Sequence, residues 1–234
     1  MHHFYSHDIT DSIVTLNEEE SRHSIKVMRL SVGDEIMVFD GLGKALRCAI
    51  ASSGKIVTAN VLTVEREETI PAFSLTLAIS PTKSADRMEW MMEKLVEIGV
   101  TRVVFIKTEK GERSRINEKR ILKKAVSALK QSGNLWLPVV EAEVKFNDFI
   151  EREKTKHKFI AHCFDKEKYQ INGGWQGEAV CVCIGPEGDF SETEVNAASA
   201  LGFAPISLGL PRYRTETAAV VAGTLFNHFN VTLL

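Results

Sequence analysis

Between Pro71 and the C-terminus, apolar runs of strand length alternate with segments of helical period, and this alternation is the strongest constraint on how the chain folds. "FSLTLAIS" leads into "ADRMEWMMEKLVEIG", where Met88, Met92, Leu95 and Ile98 recur at helical spacing, with Ser84 placed to cap the start and Gly99 the end. "TRVVFIK" follows as a strand. Asn117 then precedes "EKRILKKAVSALKQSG", whose Ile121, Leu122, Ala125, Val126 and Leu129 share one face and which closes at Gly133. "PVVEAEV", "KFIAHCF", "AVCVCIG" and "APISLG" read as short strands, and a last helix runs from about Glu216 to Phe229. Strand, helix, strand in succession predicts an α/β domain with a mostly parallel sheet. The Met and Trp side chains of these helices read as core.

Before Pro71 the texture is different. "DEIMVFDG" runs into "GKALRCAIAS" through a hairpin signal at Asp40-Gly41-Leu42-Gly43, and "KIVTANVLTVERE" completes a small β-barrel or meander. The predicted division is therefore residues 1–70 and 71–234. One helix interrupts the β segment. Asn17 is its N-cap, with Glu20 three residues on as in a capping box, and "SRHSIKVMRL" carries Arg22, His23, Lys26 and Arg29 before the Gly33-Asp34 turn. An acidic start and basic end complement a helix dipole; a surface for an anionic partner is the other reading.

Composition narrows the class. A chain of 234 residues, 44% of them hydrophobic, can bury a full core. No apolar run approaches the roughly 20 residues of a membrane helix, and "MHHFYSHDIT" lacks the apolar core of a secretion signal, so the expected location is the cytoplasm. Cys48, Cys163, Cys181 and Cys183 read as small buried hydrophobes, the last two sharing a strand at a spacing too close for an ordinary bridge. The scattered histidines have no zinc-like spacing, and no metal is expected. The net charge of −2 hides an uneven distribution: residues 1–72 hold 7 Lys/Arg against 11 Asp/Glu, whereas 102–130 hold 10 against 3. The basic segment, with Arg113, Arg115, Lys123 and Lys124, is either a solvated face or a grip for an anion.

The chemistry concentrates in two loops. In "CVCIGPEGDFSETEV" a buried-type strand stops at Gly185-Pro186-Glu187-Gly188, and Ser191 with Glu194 forms a second capping box. One unit later "SLGLPRYRTETAAV" leaves a strand at Leu208-Gly209 and starts the last helix near Thr215. Ligands of open α/β sheets bind beyond the carboxyl ends of strands, where glycine lets them approach the backbone. Neither the phosphate-cradling loop G-x-x-x-x-G-K-[ST] nor the dinucleotide fingerprint is present, and no nucleophile elbow appears. The pattern by itself leaves two readings, a ligand cradle or two tight connections.

"IGPEGDFSETEV" followed by "LGLPRYRTETAAV" resembles the paired signature of the SPOUT-class RNA methyltransferases, and most closely that of the ribosomal RNA small subunit methyltransferase E family. The resemblance spans nearly the whole chain: "HSIKVMRLSVGDEIMVFDG" is similar to the family's N-terminal PUA-like RNA-binding β-barrel and "DRMEWMMEKLVEIGV" to the opening helix of its methyltransferase domain. It implies a deep trefoil knot and a homodimer formed through the knot region. The implied activity is methyl transfer from S-adenosylmethionine to N3 of one uridine, position 1498, of 16S rRNA in the 30S subunit. The donor would lie bent between Ile184 to Gly188 and the loop bearing Leu208, Gly209, Leu210, Tyr213, Arg214, Thr217 and Ala218, with a third wall at His162 and Cys163. Arg214 is the implied cation for charge developing on the pyrimidine, and Glu216 a weaker candidate for proton acceptor. Arg22, His23, Lys26, Arg29, Arg113, Arg115, Lys123 and Lys124 are the implied RNA contacts. Two residues depart from the family's commonest pattern, Asp189 where glycine is frequent and Tyr213 where leucine is. Methylation of tRNA or 23S rRNA, and a non-catalytic role in ribosome assembly, remain as alternatives.

Overall fold

Alternating burial along short N-terminal strands builds the first of two sheets in the computed structural model, which describes residues 1–10, 12–71, 73–112, 115–165, 167–169, 171, 173, 175 and 177–231. Its strands are β1 (His2–Tyr5), β2 (Ile9–Thr10), β3 (Ile13–Thr15), β4 (Glu35–Phe39), β5 (Lys44–Ser52) and β6 (Thr58–Glu67), in the order β1-β4-β5-β6-β3-β2. All neighbours are antiparallel except β1 with β4. Phe4, Val14, Ile36, Val38, Leu46 and Ile50 point into one core. The predicted hairpin is present: one carboxylate oxygen of Asp40 accepts from the backbone N–H of Leu42 and Lys44, at 2.7 and 2.9 Å.

The N-terminal helix differs from its prediction in two ways. Only α1 (Glu18–Arg22) is α-helical; His23–Val27 continues it as a π turn, and Arg29 then takes a left-handed φ of 57°. Asn17 does cap it, accepting from Glu20 N at 2.9 Å, but the Glu20 carboxylate does not complete the box. It pairs with Lys130 instead. A lysine 110 positions away is invisible to a local motif, and its charge holds the glutamate more strongly than a backbone N–H does. Lys130 belongs to Val126–Leu137, a segment that groups with Met1–Pro71 as one compact unit, although the division at 70/71 assigns it to the second.

The second unit comprises Ala72–Ala125 and Pro138–Leu234. Strands β7 (Leu75–Ile79), β8 (Arg102–Lys107), β9 (Val139–Lys145), β10 (His157–Ala161), β11 (Val180–Ile184) and β12 (Ala204–Ile206) form a sheet of order β12-β10-β11-β7-β8-β9, with every pairing parallel. Every residue of β7 and β11 is buried, as expected of strands covered on both faces. Helix α2 (Ala85–Ile98) packs with α6 (Thr215–Val231), which also lies against β7 and β11. On the opposite face, α4 (Phe146–Arg152) and α5 (Glu192–Ala200) close over Ala78, Cys181 and Cys183 with Phe146, Phe149 and Phe190.

The predicted helix signals recur here: Ser84 caps α2, Gly99 stops it in a left-handed conformation, Asn117 caps α3 (Glu118–Ser132), and the Ser191/Glu194 capping box opens α5. Leu122 departs from the predicted face of α3 and is exposed, and Cys163 is exposed rather than buried. The seven-residue α4 is too short to produce a readable period. Among the described residues no helix is long and apolar enough to cross a membrane. The chain builds from β7 out to β9, then returns so that β11 inserts between β10 and β7. That reversal opens a crevice at the carboxyl ends of the strands, where the loops diverge.

Candidate active site

Three loops leave the carboxyl ends of β10, β11 and β12 and enclose a cavity of about 350 Å³. The first begins at His162 and Cys163, the second is Gly185 to Asp189, and the third is Ser207 to Arg214. Ligand pockets commonly measure about 300–1,000 Å³, so the space suits a small organic molecule.

The two glycine turns are tied directly to each other. The Thr215 hydroxyl donates to Gly185 O at 3.0 Å, and Arg212 Nη2 donates to Glu187 O at 3.1 Å. From α2, the Arg87 guanidinium lies 3.6 Å from a carboxylate oxygen of Glu187 and 3.6 Å from one of Glu216, bridging the second loop to the start of α6. Lys110 adds a bond to Phe190 O at 3.1 Å. Gly185 is tightly packed: a Cβ there would stand 3.0 and 3.1 Å from ring carbons of Phe190 and 3.2 Å from its backbone nitrogen, so the ring or the loop would have to shift. Gly209 has φ 143°, a region that side chains rarely adopt, and its position is closed over by the Tyr213 hydroxyl. Of the two readings left by the sequence, the cradle is the one this geometry supports.

Most of the expected donor residues face this space. His162, Cys163, Ile184, Gly185, Pro186 and Glu187 line it from one side; Leu208, Gly209, Leu210, Tyr213 and Ala218 line it from the other. Gly188, Arg214 and Thr217 do not line it. Gly188 lies outward against Lys110. Arg214 is exposed between two lining residues, Tyr213 and Thr215, and among the described residues no ion pair holds it. Glu216 is buried, outside the cavity lining, with one oxygen toward Arg87 and the other without a hydrogen-bond partner among the described residues.

The sequence missed Lys168, Asp189, Ser207, Arg212 and Thr215, which also line the cavity. Arg212 and Thr215 sat inside the singled-out loop and were overlooked beside Arg214; Lys168 carries no motif signal at all. The walls therefore present both signs of charge, Glu187 and Asp189 against Lys168 and Arg212, next to the apolar Ile184, Ile206, Leu208 and Ala218.

Of the expected RNA contacts, Arg22 and Lys26 stand together on a groove of the first unit, with Arg29 exposed nearby in sequence. His23 is half-buried at the start of the π turn, edge-on to Phe4. In the second unit Arg115, Lys123 and Lys124 are exposed, and Lys124 lies 3.9 Å from Glu89. Arg113 lies outside the described residues.

A sequence model of the RNA methyltransferase domain matches residues 69–227, and one of the RNA methyltransferase PUA domain matches 16–62. The chain is 28% identical over 221 residues to ribosomal RNA small subunit methyltransferase E of Synechocystis sp., covering 92% of this chain and 72% of that protein. The crystal structure of a probable rRNA-methyltransferase from Porphyromonas gingivalis superposes with a TM-score of 0.87 at 37% identity over the full length of both chains. Ribosomal RNA small subunit methyltransferase E from Neisseria gonorrhoeae, bound to S-adenosyl methionine, gives 0.84 at 27% identity and 95% of each chain.

Proposed function

Because the chain belongs to the RNA methyltransferase family, we propose that it methylates small-subunit ribosomal RNA with S-adenosylmethionine as donor, at N3 of one uridine of 16S rRNA. The observation that carries this reading is the direct tie between the two glycine turns, which makes a single cavity of them. The relatives' names support small-subunit rRNA as acceptor, and the Neisseria structure supports the donor.

The cavity has the chemistry for that donor. S-adenosylmethionine supplies a methyl group on a positively charged sulfur, joined to adenosine and to a zwitterionic amino acid tail. Ile184, Ile206, Leu208 and Ala218 offer apolar surface for the purine, and the glycine turns leave backbone N–H and C=O groups for its edge. Glu187 supplies negative charge for the cationic groups, and Lys168 and Arg212 supply positive charge for the tail carboxylate.

The residues' further work is placement and charge. Uridine N3 bears a proton; its release to water leaves negative charge on the ring oxygens and a lone pair on N3 to take the methyl group, while the sulfur would depart with the electron pair of the broken bond. Arg214, exposed beside the cavity and not engaged in an ion pair among the described residues, is the cation proposed to stabilise that charge. Glu216, turned toward Arg87, is proposed to fix the loop rather than to take the proton. Alignment of acceptor and methyl carbon does the rest. Arg22, His23, Lys26 and Arg29 in the first unit, with Arg113, Arg115, Lys123 and Lys124, are proposed to hold RNA phosphates and fix register without reading sequence. A PUA-like barrel, a trefoil knot in the second unit, a homodimer through that knot and a cytoplasmic location complete the reading.

The test is incubation of the protein with labelled donor and 30S particles that lack the modification, followed by mapping of the methyl group. N3-methyluridine at one 16S position is expected. Label in tRNA or 23S rRNA, or none, overturns the acceptor. Arg214→Ala should lower turnover at least about 100-fold with the donor still bound, a loss typical of a removed charge stabiliser; near-native turnover removes Arg214 from the mechanism.

A further inference from the structure

Asp189 ends the second loop and has two unusual properties. Its backbone is left-handed, φ 63°, at the close of a turn in which its N–H donates to Pro186 O at 2.9 Å. Glycine takes such a conformation without steric cost, and among side chains aspartate and asparagine tolerate it best. Its carboxylate is also committed to the backbone: Oδ1 accepts from Phe190 N at 2.8 Å and Oδ2 from Cys163 N at 2.8 Å.

The second of these bonds joins two of the loops that line the cavity. Cys163 lies in the loop after β10, outside any regular element, and the bond to Asp189 is the hydrogen bond described for its backbone. His162, beside it, is buried and faces the same cavity. The wall that begins with these residues is therefore tied to the Gly185 turn by a charged acceptor on that turn. A bond of N–H to carboxylate is stronger than one between neutral groups, and it becomes more so where a bound ligand excludes water.

We infer that Asp189 is a positioning residue for the donor site: its carboxylate docks the His162-Cys163 wall onto the glycine turn and so sets the width of the cavity. The inference rests on the donor occupying this cavity. It differs from a simple stabilising role because the same residue holds a backbone conformation that glycine would adopt more easily.

Cys163 provides a built-in probe. It is the exposed thiol among four free cysteines. The other three are buried, and burial pushes the Cys48 thiol up to about 11 and the Cys181 thiol above its ordinary range, which suppresses their reactivity. An aromatic disulfide reagent should label Cys163 of the native protein first, and S-adenosylmethionine should slow that labelling.

The experiment compares native protein, Asp189→Gly and Asp189→Asn by thermal midpoint, ligand-free labelling rate of Cys163, and S-adenosylmethionine affinity by calorimetry. Asp189→Gly should move the midpoint little, since relief of the left-handed backbone offsets the lost bonds, but speed Cys163 labelling several-fold and weaken the donor about tenfold. Asp189→Asn tolerates the same backbone but offers one acceptor oxygen to two N–H donors, so it should fall between native protein and Asp189→Gly in both labelling rate and affinity. Native labelling and affinity in Asp189→Gly overturn the inference, and so does a midpoint that falls in step with affinity. Failure of the native protein to bind or be protected by S-adenosylmethionine instead removes the functional reading, while the ligand-free labelling rate still tests the tie.

Discussion

The two ends of the parallel sheet are held together by different physics. At the amino end, Arg102 at the start of β8 donates to Glu141 and to the buried Glu153, both at 2.8 Å. Arg152 closes on the other oxygen of Glu141, and Thr155 on the other oxygen of Glu153. Charge meets charge, and little is left over. At the carboxyl end the shorter ties join side chain to backbone: Thr215 and Arg212 donate to Gly185 O and Glu187 O, and Asp189 accepts from Cys163 N, with the Arg87 contacts to Glu187 and Glu216 longer, at 3.6 Å. Such bonds fix loops while leaving other polar groups facing the cavity. One end is complete on folding, and the other is left to be completed by a ligand.

Gly185→Val should break the carboxyl end most severely. A Cβ added at Gly185 would already stand 3.0 to 3.2 Å from Phe190, whose buried ring packs on Phe146 at 5.1 Å between centroids. A branched side chain must displace the ring or the loop. We expect S-adenosylmethionine affinity to fall more than about 100-fold and stability by about 1–3 kcal/mol, as for overpacked cores. Native affinity in a calorimetric titration would mean that the placement of this turn does not govern binding.

Arg102→Met tests the amino end. Removing one partner of a buried ion pair costs about 3–5 kcal/mol, and the part exposure of Arg102 and Glu141 lowers the expectation to about 2–3 kcal/mol. Donor affinity should stay within about twofold. Acid sharpens the test. For Glu153, burial opposes the charge, and the bonds from Thr155 with the charge of Arg102 overcome it; for Glu141 burial is overcome by Arg102 and then Arg152, so both carboxyls titrate below the ordinary 4.5. A carboxyl held low in the folded state adds stability above its unfolded pKa, and that contribution is lost as pH falls through the folded value. Denaturation midpoints of native and Arg102→Met protein should therefore converge below pH 4.5. A constant gap would show that the ions are not what Arg102 contributes.

This contrast also explains what the sequence could reveal. The parallel sheet is legible because β7, β8 and β11 are mostly apolar and of strand length, and Ser84, Asn117 and Ser191 announce their helices through side-chain chemistry that acts within three residues. The glycine turns were legible because backbone demands show up as residue type. What escaped depends on partners far away in sequence: Glu20 turning to Lys130, Arg87 bridging Glu187 and Glu216, Asp189 reaching Cys163. Arg87 read simply as a helix residue, and the Arg102 network had no motif at all. The π turn at His23–Val27 escaped for another reason, since no residue pattern in "HSIKV" separates it from an α-turn.

The smallest effect expected at the carboxyl end is the most discriminating. Thr215 is buried at the start of α6, and its hydroxyl donates to Gly185 O. Thr215→Val keeps the shape and removes only that bond. A single neutral hydrogen bond contributes about 1 kcal/mol, and the carbonyl left behind borders a cavity that water can reach, so the full penalty of an orphaned buried acceptor does not apply. If the bond's task is to hold two loops in register, its loss should appear in ligand affinity, as about a fivefold weaker S-adenosylmethionine complex by calorimetry. The thermal midpoint of the ligand-free protein should move little. If the midpoint falls and affinity holds, the carboxyl end is fastened for the fold's sake, as the amino end is, and the distinction between the two ends fails at the bond that defines it.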